Sequence, residues 1–183
     1  MTGADGLPVN AYFHSCCGGN LSGPEAYWSG HEAQINFRRG PDRLNSGDEF
    51  LCQESPNSRW TSSITAPEMD LLLDVKDCES LELKYSQSRV SSLAFSAKGG
   101  RKGSISASAF LSRTGKSLGW ARLKSNCFTV EKKGGTWIFH GRGFGHGVGL
   151  CQWGARKMAR RGYSRREILS FYFGNPRITD IRK

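Results

Sequence analysis

The chain has 183 residues, of which 37% are apolar and 11% aromatic, with five Trp and ten Phe. That length suits one domain, and that aromatic content excludes a disordered chain. Lys and Arg outnumber Asp and Glu by 26 to 16, a formal net charge of +10, which fits either a solvated basic surface or a polyanionic partner such as nucleic acid, an acidic membrane or an anionic glycan.

The N-terminus, MTGADGLPVNAYFHS, lacks the basic start and apolar stretch of a secretory signal. No run in the chain approaches the roughly 20 apolar residues of a membrane helix. Residues 7–14, LPVNAYFH, predict a strand that runs into the glycine turn CCGGN, and residues 20–60 are rich in turn chemistry with little periodicity. A helix begins after Thr65, with Pro67 in its first turn and Glu68 three residues past the cap, the spacing of a capping box. Glu68 is therefore expected to cap rather than to catalyse. Residues 80–140 alternate as β-structure in SLELKYSQ, RVSSLAFSA, GSISASAF and NCFTVEKKGGTWIFHG, with KKGG placed as a hairpin turn. Two short helices close the chain. One runs from about Cys151 to Arg161 and stops at Gly162; the other opens at Ser164 with Glu167 as its box partner. The elements predict an α+β fold with a mainly antiparallel β core, a loop-rich N-terminal half and short C-terminal helices.

Between the β region and the last helices lies GRGFGHGVGLCQWGA, residues 141–155, with glycine at 141, 143, 145, 147 and 149. A dinucleotide fingerprint needs glycines at offsets 0, 2 and 5, and the even spacing here fails it. The GKS at 115–117 fails as a P-loop because Phe110 stands where glycine is required. Read as an extended segment, the stretch puts its glycines on one face and Arg142, Phe144 and His146 on the other. Five glycines weaken a strand, so the pattern implies a close approach of backbone or ligand. A ring, a cation and an imidazole suit a sugar or another polar ligand, and the helix N-terminus near Cys151 and Gln152 adds N–H groups. The alternative is tight packing with His146 bonded internally.

These residues resemble the stage II sporulation protein D/amidase-enhancer family. The stretch from Gly141 to Phe173 is similar to the family's closing motif, AYFHSCCGG to its FHSxxGG motif, CQESPNSRW to its SPxxxW loop, and RTGKSLGWARLKSNCFTV to a middle segment. Four blocks in order span residues 10–173. The resemblance implies a cell-wall protein of the envelope that acts on peptidoglycan glycan strands. Members are lytic transglycosylases acting on glycan stripped of stem peptides, or enhancers of the amidase that strips it. It further implies that residues 1–183 form a single domain, the C-terminal part of the family domain without its N-terminal segment. The family's catalytic glutamate lies in that segment, and the 13 residues before His14 contain no glutamate. Lytic cleavage needs a carboxylic acid of raised pKa to protonate the leaving oxygen. A complete chain of this kind is expected to bind glycan or a partner without cutting; a fragment would belong to an enzyme. The rival assignments are a non-catalytic activator of an N-acetylmuramoyl-L-alanine amidase and a nucleic-acid-binding module, for which no recognition motif is present.

The expected glycan-binding residues are His14, Ser15, Gly18, Gly19, Trp60, Arg142, Phe144, His146 and Gln152, with Trp60 or Phe144 stacking on a sugar ring. No cofactor and no metal role is carried over. Cys78 and Cys127 are expected to be buried thiols. Cys16, Cys17, Cys52 and Cys151 fall in the three motif blocks that should meet at the groove, so Cys52 is expected within disulfide reach of Cys17 or Cys151. Such a cluster could be free thiols, a disulfide, or three thiolates joined by His14 or His146 around zinc.

Overall fold

The protein is described by a computed structural model that covers residues 1–2, 8, 10–28, 37–174 and 176–178. Of the strand expected over 7–14, only Phe13–His14 forms one among the described residues; Leu7 and Val9 lie outside those residues, as does the end of the basic C-terminal run. Contacts divide the chain into two compact units, Met1–Ser58 with Phe144–Lys183, and Arg59–Gly143.

In chain order, the first unit begins with three two-residue strands, β1 (Phe13–His14), β2 (Asn20–Leu21) and β3 (Gly40–Pro41), the last two paired antiparallel. The second unit follows. Its strand β4 (Trp60–Thr65) leads directly into helix α1 (Ala66–Leu73). The expected capping box is present: the Thr65 side chain accepts from the Glu68 N–H, and Glu68 reaches back to the Thr65 N–H at 2.8 Å. Strands β5 (Cys78–Ser86), β6 (Arg89–Ala97) and β7 (Arg101–Ser106) make one antiparallel sheet. Helix α2 (Ala107–Leu118) is next, and after it β8 (Phe128–Lys133) and β9 (Thr136–Gly141) form a hairpin whose second strand also pairs with β4. Gly134 and Gly135 both have positive φ in the two-residue turn, as a primed hairpin turn requires. The chain then returns to the first unit through β10 (Leu150–Cys151), which runs parallel to β1, and helices α3 (Gln152–Arg160) and α4 (Arg165–Phe173). Ser164 and Glu167 form the second predicted capping box. The fold is α+β with a mainly antiparallel β core, as the pattern implied.

Two sequence expectations are corrected. The strand expected over 103–110 ends at Ser106, which caps α2 by accepting from the Ala109 N–H. Ala107, Phe110 and Thr114 are buried at helical spacing, so the Ser/Ala alternation of SISASA carried the period-two pattern one element too far. The glycine stretch is also not a strand beyond Gly141. Gly143, Gly145, Gly147 and Gly149 have φ of 80, 107, 75 and 70°, which side-chain-bearing residues rarely adopt. Every second residue turns the backbone, so Arg142, Phe144 and His146 do not share one face of a ladder. The alternation reports a dihedral requirement rather than a bare strand face.

Each unit has its own core. In the second, Ile64, Met69, Leu72, Leu93, Phe110 and Phe139 pack at 0–1% exposure. In the first, Leu21, Leu51, Val148, Met158 and Phe173 pack with the thiols of Cys16, Cys17, Cys52 and Cys151.

Candidate functional site

The first unit is stitched together by the glycine segment running along residues 12–22. Cys16 and Phe144 exchange both backbone hydrogen bonds, at 3.1 and 2.7 Å, and the Ser22 N–H donates to the Gly147 carbonyl at 2.9 Å. The Leu150 N–H donates to the Tyr12 carbonyl at 3.0 Å, and the Trp153 N–H to the Ser15 carbonyl at 3.2 Å. In the β1–β10 register His14 faces Cys151. A β-carbon on Gly149 would overlap the Tyr12 carbonyl oxygen, and one on Gly145 would stand 2.8 Å from the His14 β-carbon. The glycines thus bring two histidine-bearing segments into contact.

His14 and His146 meet at the centre, with ring centroids 5.4 Å apart. Val148 sets the proton arrangement of both rings. His14 Nδ1–H donates to the Val148 carbonyl at 3.1 Å, and the Val148 N–H donates to His146 Nδ1 at the same distance. In neutral rings this puts the remaining proton of His146 on Nε2 and leaves His14 Nε2 without one. One imidazole is set as a donor and the other as an acceptor. Around His146 stand Trp28, with its centroid 4.9 Å away, Tyr27 at 5.8 Å and Tyr12 at 6.2 Å. Tyr12 and Tyr27 also contact Trp28, at 4.9 and 5.0 Å. Tyr12, Tyr27, Trp28 and His146 are all half-buried, while His14 is buried. The result is a ring-lined site with imidazole polar groups inside it, an arrangement suited to a flat ligand with hydroxyl or amide groups.

Of the residues expected from sequence, the structure brings His14 and His146 together directly and joins Phe144 to them through its backbone pairing with Cys16. Ser15 takes part through its carbonyl. Gly18 and Gly19 are buried in the turn after Cys17, and Gln152 is exposed at the start of α3. Trp60 and Arg142 belong to the second unit. There the Trp60 indole N–H donates to the Gly143 carbonyl at 2.8 Å, and its ring lies where a side chain on Gly141 would be. Arg142 is half-buried and holds the Cys127 carbonyl through its N–H at 2.8 Å. Sequence reasoning missed Tyr12, Tyr27 and Trp28. Their only signal was three aromatic residues flanking the FHSCCGG turn.

Glu68 serves as the helix cap and pairs with Arg122 at 3.1 Å. The basic run of α3 is partly neutralised within its unit: Lys157 lies 3.1 Å from Glu54 and 3.8 Å from Glu49, and Arg160 lies 3.9 Å from Glu54.

The expected cysteine cluster forms. Cys17 and Cys52 have their sulfurs 3.4 Å apart, the Cys17 N–H donates to Cys151 Sγ at 3.4 Å, and no disulfide joins any of the six cysteines. The non-cysteine side chain beside these thiols is neither His14 nor His146, the partners that the zinc alternative would have used. It is Asp42, with Oδ2 3.1 Å from Cys17 Sγ and Oδ1 accepting from the Tyr172 hydroxyl at 3.0 Å. Burial pushes the Asp42 carboxyl up to about 7 and raises the Cys17 thiol, whereas hydrogen bonds from the neighbouring thiols, Cys151 foremost, favour Cys52 as the group that ionises. Asp42 sits in the turn-rich GPDRLNSGDE, where an aspartate signals a turn and nothing more.

No family model matches the chain. Over 179 residues it is 27% identical to stage II sporulation protein D of Bacillus subtilis, covering 94% of this chain and 46% of that protein. Over 62 residues it is 37% identical to the amidase enhancer of Bacillus subtilis, covering 34% of this chain and 9% of that protein. An uncharacterized protein of Brachyspira hyodysenteriae is 45% identical over 56 residues, 31% of this chain and 15% of that protein. The chain thus spans about half the length of the sporulation protein and a smaller share of the other two.

Proposed function

We propose that the chain is a member of the stage II sporulation protein D/amidase-enhancer family, and that its first unit binds the glycan strands of peptidoglycan at the ring-lined site around His146. The observation that carries the reading is the set of Tyr12, Tyr27, Trp28 and His14 about one imidazole, with Val148 fixing opposite proton arrangements on the two histidines. Aromatic faces take up the apolar face of a pyranose ring. His146 Nε2–H would donate to a sugar hydroxyl or N-acetyl carbonyl, and His14 belongs to the same polar centre. The net charge of +10 suits an anionic wall. The reading places the protein outside the cytoplasm; among the described residues no helix is long and apolar enough to cross a membrane. Lytic transglycosylase chemistry in this family is the corresponding reaction, and the carboxylic acid it needs is not assigned to any residue of this chain.

Titration calorimetry with denuded and with peptide-bearing glycan tests the proposal. Saturable binding of denuded glycan, weakened about tenfold in His146→Ala by loss of one ring contact and one hydrogen bond, is the expected result. Equal binding by both proteins would place the glycan elsewhere. A second reading, stimulation of an amidase, is favoured by the match to the amidase enhancer and by Phe13, which is 61% exposed beside His14. Faster stem-peptide release by an amidase on adding this chain, abolished in Phe13→Ala with glycan binding intact, would support it.

A further inference from the structure

We infer that Cys17, Asp42, Cys52 and Cys151 form a structural tetrahedral site for zinc inside the first unit. The four donor atoms all lie within 4.8 Å of one another, and the residues are only 0–1% exposed. Tetrahedral zinc with bonds of about 2.3 Å to sulfur sets its thiolates ~3.8 Å apart. The 3.4 Å Cys17–Cys52 separation and the 4.8 Å outer limit bracket that value. The donor set selects the cation: three thiolates favour a borderline-soft metal such as zinc and disfavour magnesium or calcium.

Ordinary core packing does not account for this cluster. Buried thiols behave as small apolar groups and need no ion. Asp42 is different, because burial at 0% exposure holds a carboxyl neutral unless a positive charge compensates its ionised form. Among the described residues no ion pair supplies one. Its Oδ1 is held by the Tyr172 hydroxyl while Oδ2 faces Cys17, so the carboxylate is oriented as an outer hydrogen bond orients a metal ligand. Gly154 belongs to this support: a β-carbon there would overlap the Tyr172 hydroxyl and come 3.0 Å from Asp42 Oδ2. Binding releases the thiol protons, leaving three thiolates, one carboxylate and Zn2+ with a net charge of −2, the same as a four-cysteine site. Cys151 precedes the first turn of α3, whose N-terminal dipole favours that charge.

All four positions are taken by protein atoms, so the site is structural rather than catalytic. It ties Cys17, Asp42 and Cys52 to Cys151, joining the two stretches of chain that make up the first unit. Cys151 faces His14 in the β1–β10 register, so the ion would also hold the strand that carries one imidazole of the ring-lined site. None of this depends on what that site binds.

Cobalt substitution tests the assignment. The purified, reduced full chain should take up one Co2+ with thiolate-to-cobalt charge-transfer absorption and the visible bands of a tetrahedral ion, and one equivalent of Zn2+ should displace it. Cys52→Ser should weaken Co2+ binding at least 100-fold. Asp42→Asn should keep the charge-transfer band and weaken binding by about 10- to 100-fold. If Cys52→Ser does not fold, the Cys78→Ser, Cys127→Ser double variant still decides, because it should retain the full spectrum and one-to-one uptake. The inference is overturned if reduced wild-type protein binds no Co2+ or Zn2+, if that double variant abolishes the spectrum, or if protein purified with zinc present carries a Cys17–Cys52 disulfide.

Discussion

The two units of this protein reach order by different means. The second is built from strands of six to nine residues in continuous antiparallel ladders, closed over an apolar core that includes Ile64, Leu93, Phe110 and Phe139. Among the described residues the first has two-residue strands and isolated backbone bridges, and its core mixes Leu21, Val148 and Phe173 with four cysteines around a buried aspartate. Ladders and apolar packing are self-sufficient, and they leave few groups free for chemistry. Bridges between irregular segments allow two histidines, three further aromatic rings and the thiol cluster to be gathered in one place. The less regular unit is thus the one with functional groups to offer.

The largest effect is expected where packing alone holds the structure. Phe139, fully buried against Phe110 and Phe128, should cost about 3–5 kcal/mol on truncation to alanine, read from urea unfolding. Exchange protection should fall across 60–141 and persist at the cysteine cluster. Equal loss at both would mean that the two units unfold as one. Gly149→Ala attacks the other design. A side chain at φ of 70° costs about 1–3 kcal/mol before the overlap with the Tyr12 carbonyl is counted. The loss should centre on residues 12–22 and 144–151 and leave the β5–β7 sheet protected. An alanine tolerated without cost would return the segment to an ordinary strand.

His146→Ala separates binding from stability. The half-buried ring gives up its hydrogen bond with the Val148 N–H, about 1 kcal/mol, so the thermal transition should move little. A large stability loss with unchanged glycan affinity would make His146 an internal strut. The smallest effects belong to the helix caps. Thr65→Ala should cost about 1 kcal/mol, measured by thermal unfolding. Glu68, whose carboxyl is held low by the Thr65 backbone N–H first and by Arg122 as well, stabilises the fold most when ionised. That contribution is present above the ordinary Glu value near 4.3 and is lost as pH falls through the lower folded value. Glu68→Gln should flatten this part of the acid limb, and an unchanged limb would remove Glu68 from it.

Local rules written into adjacent residues were legible in the sequence. Thr65 with Glu68, Ser164 with Glu167, and Gly134–Gly135 between two alternating runs each specify their element within four residues. Ser106 obeys the same capping rule, but alternation on both sides of it disguised the helix that follows. The cysteine cluster and the meeting of His14 with His146 were legible through the family resemblance, because the motif blocks that carry them are expected to converge at one groove. The geometry of the glycine segment was not, because even spacing fits both a bare strand face and a chain of left-handed turns, and only φ distinguishes them. Asp42, Tyr27 and Trp28 were missed for a related reason. The contacts that draw them into their sites, Asp42 with Tyr172 and Tyr27 and Trp28 with His146, span more than 100 residues of sequence.

The most direct test of the account is hydrogen exchange, read peptide by peptide, of the intact chain with and without denuded glycan strands. Binding at the ring-lined site should slow exchange in residues 10–28 and 144–152 and leave the ladders of 78–106 and 128–141 unchanged. Protection confined to those ladders, or no protection at saturating glycan, would contradict it.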